Sequence, residues 1–129
     1  MANFRQITPF MYVPDIVAGE AFLGKLGFRT LSTYGDYRYM EREGCGIRVM
    51  QNSGDDGAPP GNRRFAYYVD VCDVDALYRE WQPFLATFPP GDVHGPGNKP
   101  YGQRELCILA PDGNVLTFGQ PVNVASLPT

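Results

Sequence analysis

The residue types that most often carry out chemistry are few and scattered in this chain. The single histidine, His94, lies in a Gly/Pro-rich stretch, where a lone imidazole is more often a surface group than a ligand. The three cysteines, Cys45, Cys72 and Cys107, are odd in number and widely spaced, and no C-x-x-C is present. They read as small core or strand residues of a reducing compartment, not as a disulfide frame. A Cys–His nucleophile would need His94 beside one of them. Asp55-Asp56 and Glu41/Glu43 fall in turn-like stretches and read as solvated charge. There is no local Ser-His-Asp signature, and no Gly-rich phosphate loop follows a strand. The chain is instead rich in phenols: eight Tyr, with eight Phe and one Trp, bring aromatics to 13%. Tyrosine joins a flat apolar ring to a hydroxyl, so a Tyr-rich small domain suits a binding face.

Composition narrows the partners. A chain of 129 residues supports one domain with a real core. The net charge of −3 argues against nucleic acid, which needs a basic stripe. No apolar run approaches the roughly 20 residues of a membrane helix. "MANFRQITPF" lacks the continuous apolar region of a signal peptide. The expectation is a cytoplasmic protein with neither nucleic acid nor membrane as partner.

The elements that must position any site follow from pattern. "ITPFMYVPDI" (7–16) has strand character, and Asp15 is a candidate N-cap for the helix that follows. Ile16, Ala21 or Phe22, Leu23 and Leu26 recur at helical spacing, and Gly27 suits a left-handed C-terminal position. Residues 29–52 read as three short strands, turning at Gly35-Asp36 and Glu43-Gly44. "SGDDGAPPGN" (53–62) is a break. The order then restarts. "RFAYYVDV" (64–71) is a strand, and Asp73 caps a helix with Leu77, Trp81 and Leu85 on one stripe, kinked or divided at Pro83. Residues 88–102 read as a long loop. "QRELCILA" and "NVLTFGQP" form a hairpin across Asp112-Gly113. "V-P-D-I" (13–16) and "V-C-D-V" (71–74) echo each other at the junctions of strand and helix. The reading is α+β: one domain, 1–129, of two tandem βαβββ modules at 1–52 and 63–121, joined by a linker at 53–62 and followed by a tail at 122–129.

This duplicated pattern resembles the vicinal-oxygen-chelate superfamily of glyoxalases, extradiol dioxygenases, and fosfomycin- and bleomycin-resistance proteins. "LGF" (26–28) and the "PDGN" hairpin (111–114) carry the general likeness. "VDALYREW" (74–81), "KPYGQRE" (99–105) and "APDGNVLTFGQ" (110–120) are most similar to bleomycin-resistance proteins. The resemblance implies curved mixed sheets that pair, and a homodimer with ligand grooves between subunits. It also implies sequestration of a small molecule, such as an aromatic antibiotic, with no cofactor and no catalytic residues. The alternative it leaves open is a glyoxalase- or dioxygenase-like metalloenzyme with a divergent site.

In the metal-using members, the ligands come from the first and last strands of each module. The matching positions here are Thr8, Ala66, Thr117, and Arg48 or Met50. Ala offers no donor, Arg is a permanent cation, and a neutral hydroxyl is a poor ligand. The resemblance also places Tyr101 at the family's groove Trp, Asp36 and Tyr37 at an acidic–aromatic pair, and Tyr68 at a large aromatic. Tyr37 and Tyr39 alternate with Arg38, so the two phenols share a strand face. The candidate ligand-binding residues are therefore Asp36, Tyr37, Tyr39, Arg48, Tyr68, Tyr101, Arg104 and Thr117. The arginines near the candidate strands (Arg38, Arg48, Arg63, Arg64 and Arg104) depart from the drug binders and suit a neutral or anionic ligand.

Overall fold

The computed structural model describes residues 2–52, 65–110 and 113–122. The linker 53–62, Asp55-Asp56, Arg63, Arg64, Asp112 of the last turn and tail residues 123–129 lie outside them. The chain divides into two compact units, 1–63 and 64–129. Each contains a four-stranded mixed sheet and one helix, the strand–helix–three-strand order that the sequence pattern predicts.

In the first unit, β1 (Phe10–Val13) leads into α1 (Ile16–Lys25), and then come β2 (Arg29–Tyr34), β3 (Tyr37–Arg42) and β4 (Cys45–Gln51). The sheet order is β1-β4-β3-β2, with β1 parallel to β4 and the other pairs antiparallel. The first strand is shorter than its apolar run because Pro9 has no N–H for the ladder. Pro9 still accepts from the Arg48 amide at 3.0 Å. Asp15 caps α1, its Oδ1 accepting from the amides of Val17 and Ala18. Gly27, at φ +91°, ends the helix, with the amide of Phe28 reaching the Leu23 carbonyl. The Glu43-Gly44 turn has φ values of 51° and 82°, as a two-residue I′ hairpin needs. Strand alternation turns Met11, Val13, Met40, Ile47 and Val49 toward α1. The helix comes down closely: a Cβ on Gly19 would meet the Val13 methyls at 2.9–3.0 Å.

The second unit runs β5 (Ala66–Asp70), α2 (Val74–Leu85), β6 (Val93–Asn98), β7 (Gln103–Leu109) and β8 (Val115–Pro121). The sheet order β5-β8-β7-β6 repeats that of the first. The two V-x-D-[IV] junctions are alike in detail. Asp73 accepts from the Ala76 amide as Asp15 does for α1. Gln51 accepts from the Ile16 amide, and Gln120 from the Val74 amide, tying each last strand to the start of its helix. Leu106, Ile108, Leu116 and Phe118 form the core with Trp81 and Leu85, and Trp81 meets Phe118 edge to face at 4.8 Å. Asn114 of the PDGN motif is fully buried and accepts from the Tyr67 hydroxyl.

Two expectations need correction. The stretch 88–102 is not all loop, since it contains β6 with its cis Gly95–Pro96 bond and a register shift between His94 and Gly97. An edge strand pairs on one side only, so it accommodates Pro and Gly that a central strand would reject. Pro83 does not divide α2, which runs unbroken through it. Pro83 and Arg79 are both exposed, so water can take the carbonyl that the missing N–H leaves free.

Candidate functional site

In each unit the helix covers one face of the sheet and strand alternation sends the other set of side chains away from it. On the first sheet this open face carries Phe10, Tyr12, Tyr37, Tyr39, Arg48 and Met50, and Phe10 stacks on Tyr12 at 6.0 Å. At its centre is Arg48. Nε donates to Thr8 Oγ1 at 2.8 Å and Nη1 donates to the Tyr37 hydroxyl at 2.6 Å. The guanidinium also lies 5.0 Å from the centre of the Tyr39 ring. Gln6 donates to the Tyr39 hydroxyl at 3.0 Å. Arg5, Gln6, Ser32, Tyr37, Tyr39 and Arg48 line a concavity of about 500 Å³, within the size range of small-molecule sites.

The open face of the second sheet is built on the same register with different chemistry. Tyr68 pairs with Thr117, and Thr117 with Cys107, as Phe10 pairs with Arg48 and Arg48 with Tyr39. Glu105, only 6% exposed, is the charged group here. It accepts from the Tyr101 hydroxyl at 2.7 Å. Tyr68 lays its hydroxyl end over Gly119, where a Cβ would overlap it, while its ring keeps the residue 46% exposed. The loss of water around that hydroxyl, and then its bond to Glu105, push the Tyr68 phenol up to about 12. Tyr101 is also raised, first by its bond to Glu105. Cys107 Sγ and Thr117 Oγ1 are 3.3 Å apart.

The eight candidate residues thus separate. Tyr37, Tyr39 and Arg48 come together on the first sheet. Tyr68, Tyr101 and Thr117 share the open side of the second. Asp36 lies exposed in the β2–β3 turn, where its carbonyl accepts from the Gln51 amide at 2.9 Å, and it does not line the cavity. Arg104 is on the helix side, gripping Asp75 of α2 through two bonds of 3.0 and 2.9 Å. Arg38 likewise faces α1 and pairs with Glu20 at 3.0 Å. The cationic wall expected from five arginines therefore reduces, among the described residues, to Arg48 with Arg5 added. Arg5, Gln6, Ser32 and Glu105 were not singled out from sequence. For Glu105 a signal existed: in "QRELCIL" the core pair Leu106/Ile108 sends Glu105 and Cys107 to the opposite face.

The positions that the sequence resemblance matches to a metal site carry side chains that do not suit one. Thr8 has its hydroxyl oxygen on a guanidinium, Ala66 has no donor atom, and Arg48 would repel a divalent ion. Among the described residues no three His, Cys, Asp or Glu side chains converge.

This architecture is that of a protein class already known from solved structures. No protein-family model matches the chain, and no curated protein matches it in sequence. The bleomycin resistance determinant encoded on the transposon Tn5 superposes with a TM-score of 0.76 at 20% identity, over 93% of this chain and 100% of that one. The bleomycin-binding protein from Streptomyces verticillus, complexed with copper(II)-bleomycin, gives 0.73 at 23% identity over 95% and 100%. A glyoxalase/bleomycin resistance protein/dioxygenase from Nocardioides gives 0.69 at 17% identity over 95% and 87%. The chain therefore shares its fold with bleomycin-binding proteins and glyoxalase-related proteins. At these identities the likeness is one of fold.

Proposed function

We propose that this protein binds a small molecule and sequesters it unchanged, without a metal, in the manner of bleomycin-resistance proteins. The observation that carries this is the character of the two open faces. Each presents phenols around one charged group, where a sheet face built only to pack would present aliphatic side chains. Phenol rings give flat apolar contact at low entropic cost, and the charged groups and hydroxyls orient the ligand. Among the described residues, the hydrogen bonds of Arg48, Tyr101 and Cys107 on the two faces pair no nucleophile with a base. The solved fold neighbours include a protein complexed with copper(II)-bleomycin, which supports a ligand of aromatic-antibiotic type.

We further propose a homodimer with its grooves between subunits. Large apolar side chains stand in water on the single chain: Leu31 is 49% exposed, Tyr34 83%, Phe4 92% and Ile7 94%. Sedimentation should give twice the 14.3 kDa chain mass; a chain-mass species at micromolar concentration contradicts the dimer. The function is tested by calorimetry and thermal shift against bleomycins and other aromatic natural products, because a ligand that binds only the folded state raises its melting temperature. Saturable binding with the ligand recovered intact is expected. Stoichiometric metal with turnover, or no binding across the panel, overturns the proposal.

A further inference from the structure

The arginines of the first unit are not equivalent. Arg29, Arg38 and Arg42 each meet a carboxylate, on Glu41, Glu20 and Glu43 respectively. Arg48 meets none among the described residues. Its partners are a threonine hydroxyl, a tyrosine hydroxyl and a ring face, all neutral. A half-buried guanidinium held rigidly by neutral groups keeps its full charge for something else. Nε and Nη1 are occupied, whereas Nη2 donates to no described atom.

The hydroxyls follow the same logic. The Tyr37 oxygen accepts from Arg48, so its own hydrogen is left to donate elsewhere. The Tyr39 oxygen accepts from Gln6 and is in the same position. Ser32 and Arg5 add further donors to the cavity wall, and among the described residues no carboxylate lines it. A pocket with this excess of N–H and O–H groups matches a partner that only accepts.

We infer that this cavity is an oxyanion site. It takes the carboxylate or phosphoryl group of a small ligand, with Arg48 as its charge partner and Tyr37 and Tyr39 as hydroxyl donors and ring walls. Thr8 acts as a positioning residue through its bond to Nε. The inference rests on the small-molecule reading above and names the ligand class for this face. Bidentate capture by Arg suits both a planar carboxylate and a tetrahedral phosphoryl group.

The test uses four probes of similar size on the full chain: benzoate, phenyl phosphate, neutral benzamide and cationic benzylamine. Calorimetry and tyrosine ring resonances follow binding. Benzoate or phenyl phosphate should bind at least tenfold more tightly than benzamide, with affinity falling as salt rises. Whichever of the two anions binds better identifies the preferred acid. Arg48→Gln should reduce anion binding at least tenfold, and Tyr37→Phe by a smaller factor, with both melting cooperatively. Arg38→Gln, which removes a helix-side arginine, should leave it unchanged. Equal binding of benzamide and benzoate, preference for benzylamine, or undiminished anion binding in a folded Arg48→Gln protein overturns the assignment. If the anions fail while a bleomycin-panel compound still binds, the oxyanion site is wrong and the binding function stands. If nothing binds, both fail.

Discussion

The open faces of the two sheets share a strand order and a register but are furnished in opposite ways. On the first sheet a guanidinium sits at the centre and phenol oxygens accept from it or from an amide. On the second a nearly buried carboxylate takes that role and a phenol donates to it. The positions correspond: Arg48 and Thr117 face β1 and β5, and Tyr37 and Glu105 pair two residues further along β4 and β8, with Met50 and Gly119. The two units have the same strand order and pairing, while their open faces carry charges of opposite sign. Backbone geometry thus fixes where an open-face residue stands, and the identity of a few such residues fixes the charge of that face.

Inverting the first face is expected to give the largest effect. Arg48→Glu places a carboxylate at both centres, and binding of acidic ligands should weaken by about 2–5 kcal/mol, measured by calorimetry. Next is Gly119→Val, which puts a side chain where the Tyr68 hydroxyl lies. Overpacking of this kind costs about 1–3 kcal/mol. Denaturant melts should show that loss, and the displaced Tyr68 should titrate nearer an ordinary phenol. Glu105→Gln is milder. Spectrophotometric titration should find Tyr68 below about 12 but still above 10, because loss of water is the larger cause and Glu105 the next. The wild-type sign follows. The folded state holds the Tyr68 proton more tightly than the unfolded state, so stability is full below pH 10 and falls as pH rises through 10 to about 12.

The smallest effect belongs to the helix sides, where both units use arginine structurally. Asp75→Asn breaks the Arg104 pair, whose side chains are 30% and 42% exposed. It should cost no more than about 1 kcal/mol in denaturant melts and leave ligand binding unchanged. Arg104 holds the Asp75 carboxyl below its ordinary 3.8, so this contribution is present above that value and fades as pH falls through the lowered one.

The framework was legible because its signals are local. Asp15 and Asp73 announce helix starts, Gly27 a helix end, and Glu43-Gly44 a hairpin, each through the conformation of one or two residues. β6 was hidden because its Gly and Pro residues are turn formers by composition, and only pairing with β7 makes them a strand. The site was partly legible for a related reason. Alternation places Tyr37 and Tyr39 together. Arg104 sits beside Tyr101 in the motif "KPYGQRE", yet its place on the far face depends on strand phase and on Asp75 of α2. Arg5 and Gln6 lie in a segment without regular structure, where no periodicity points to their role.

The most direct test is a ligand titration followed through the tyrosine ring resonances, with the recovered ligand weighed by mass spectrometry. Tyr37, Tyr39, Tyr68 and Tyr101 should shift saturably, Tyr67 in the core and Tyr78 on α2 should not, and the ligand mass should be unchanged. Shifts confined to Tyr67 and Tyr78, or a ligand returned with altered mass, would contradict sequestration on the open faces.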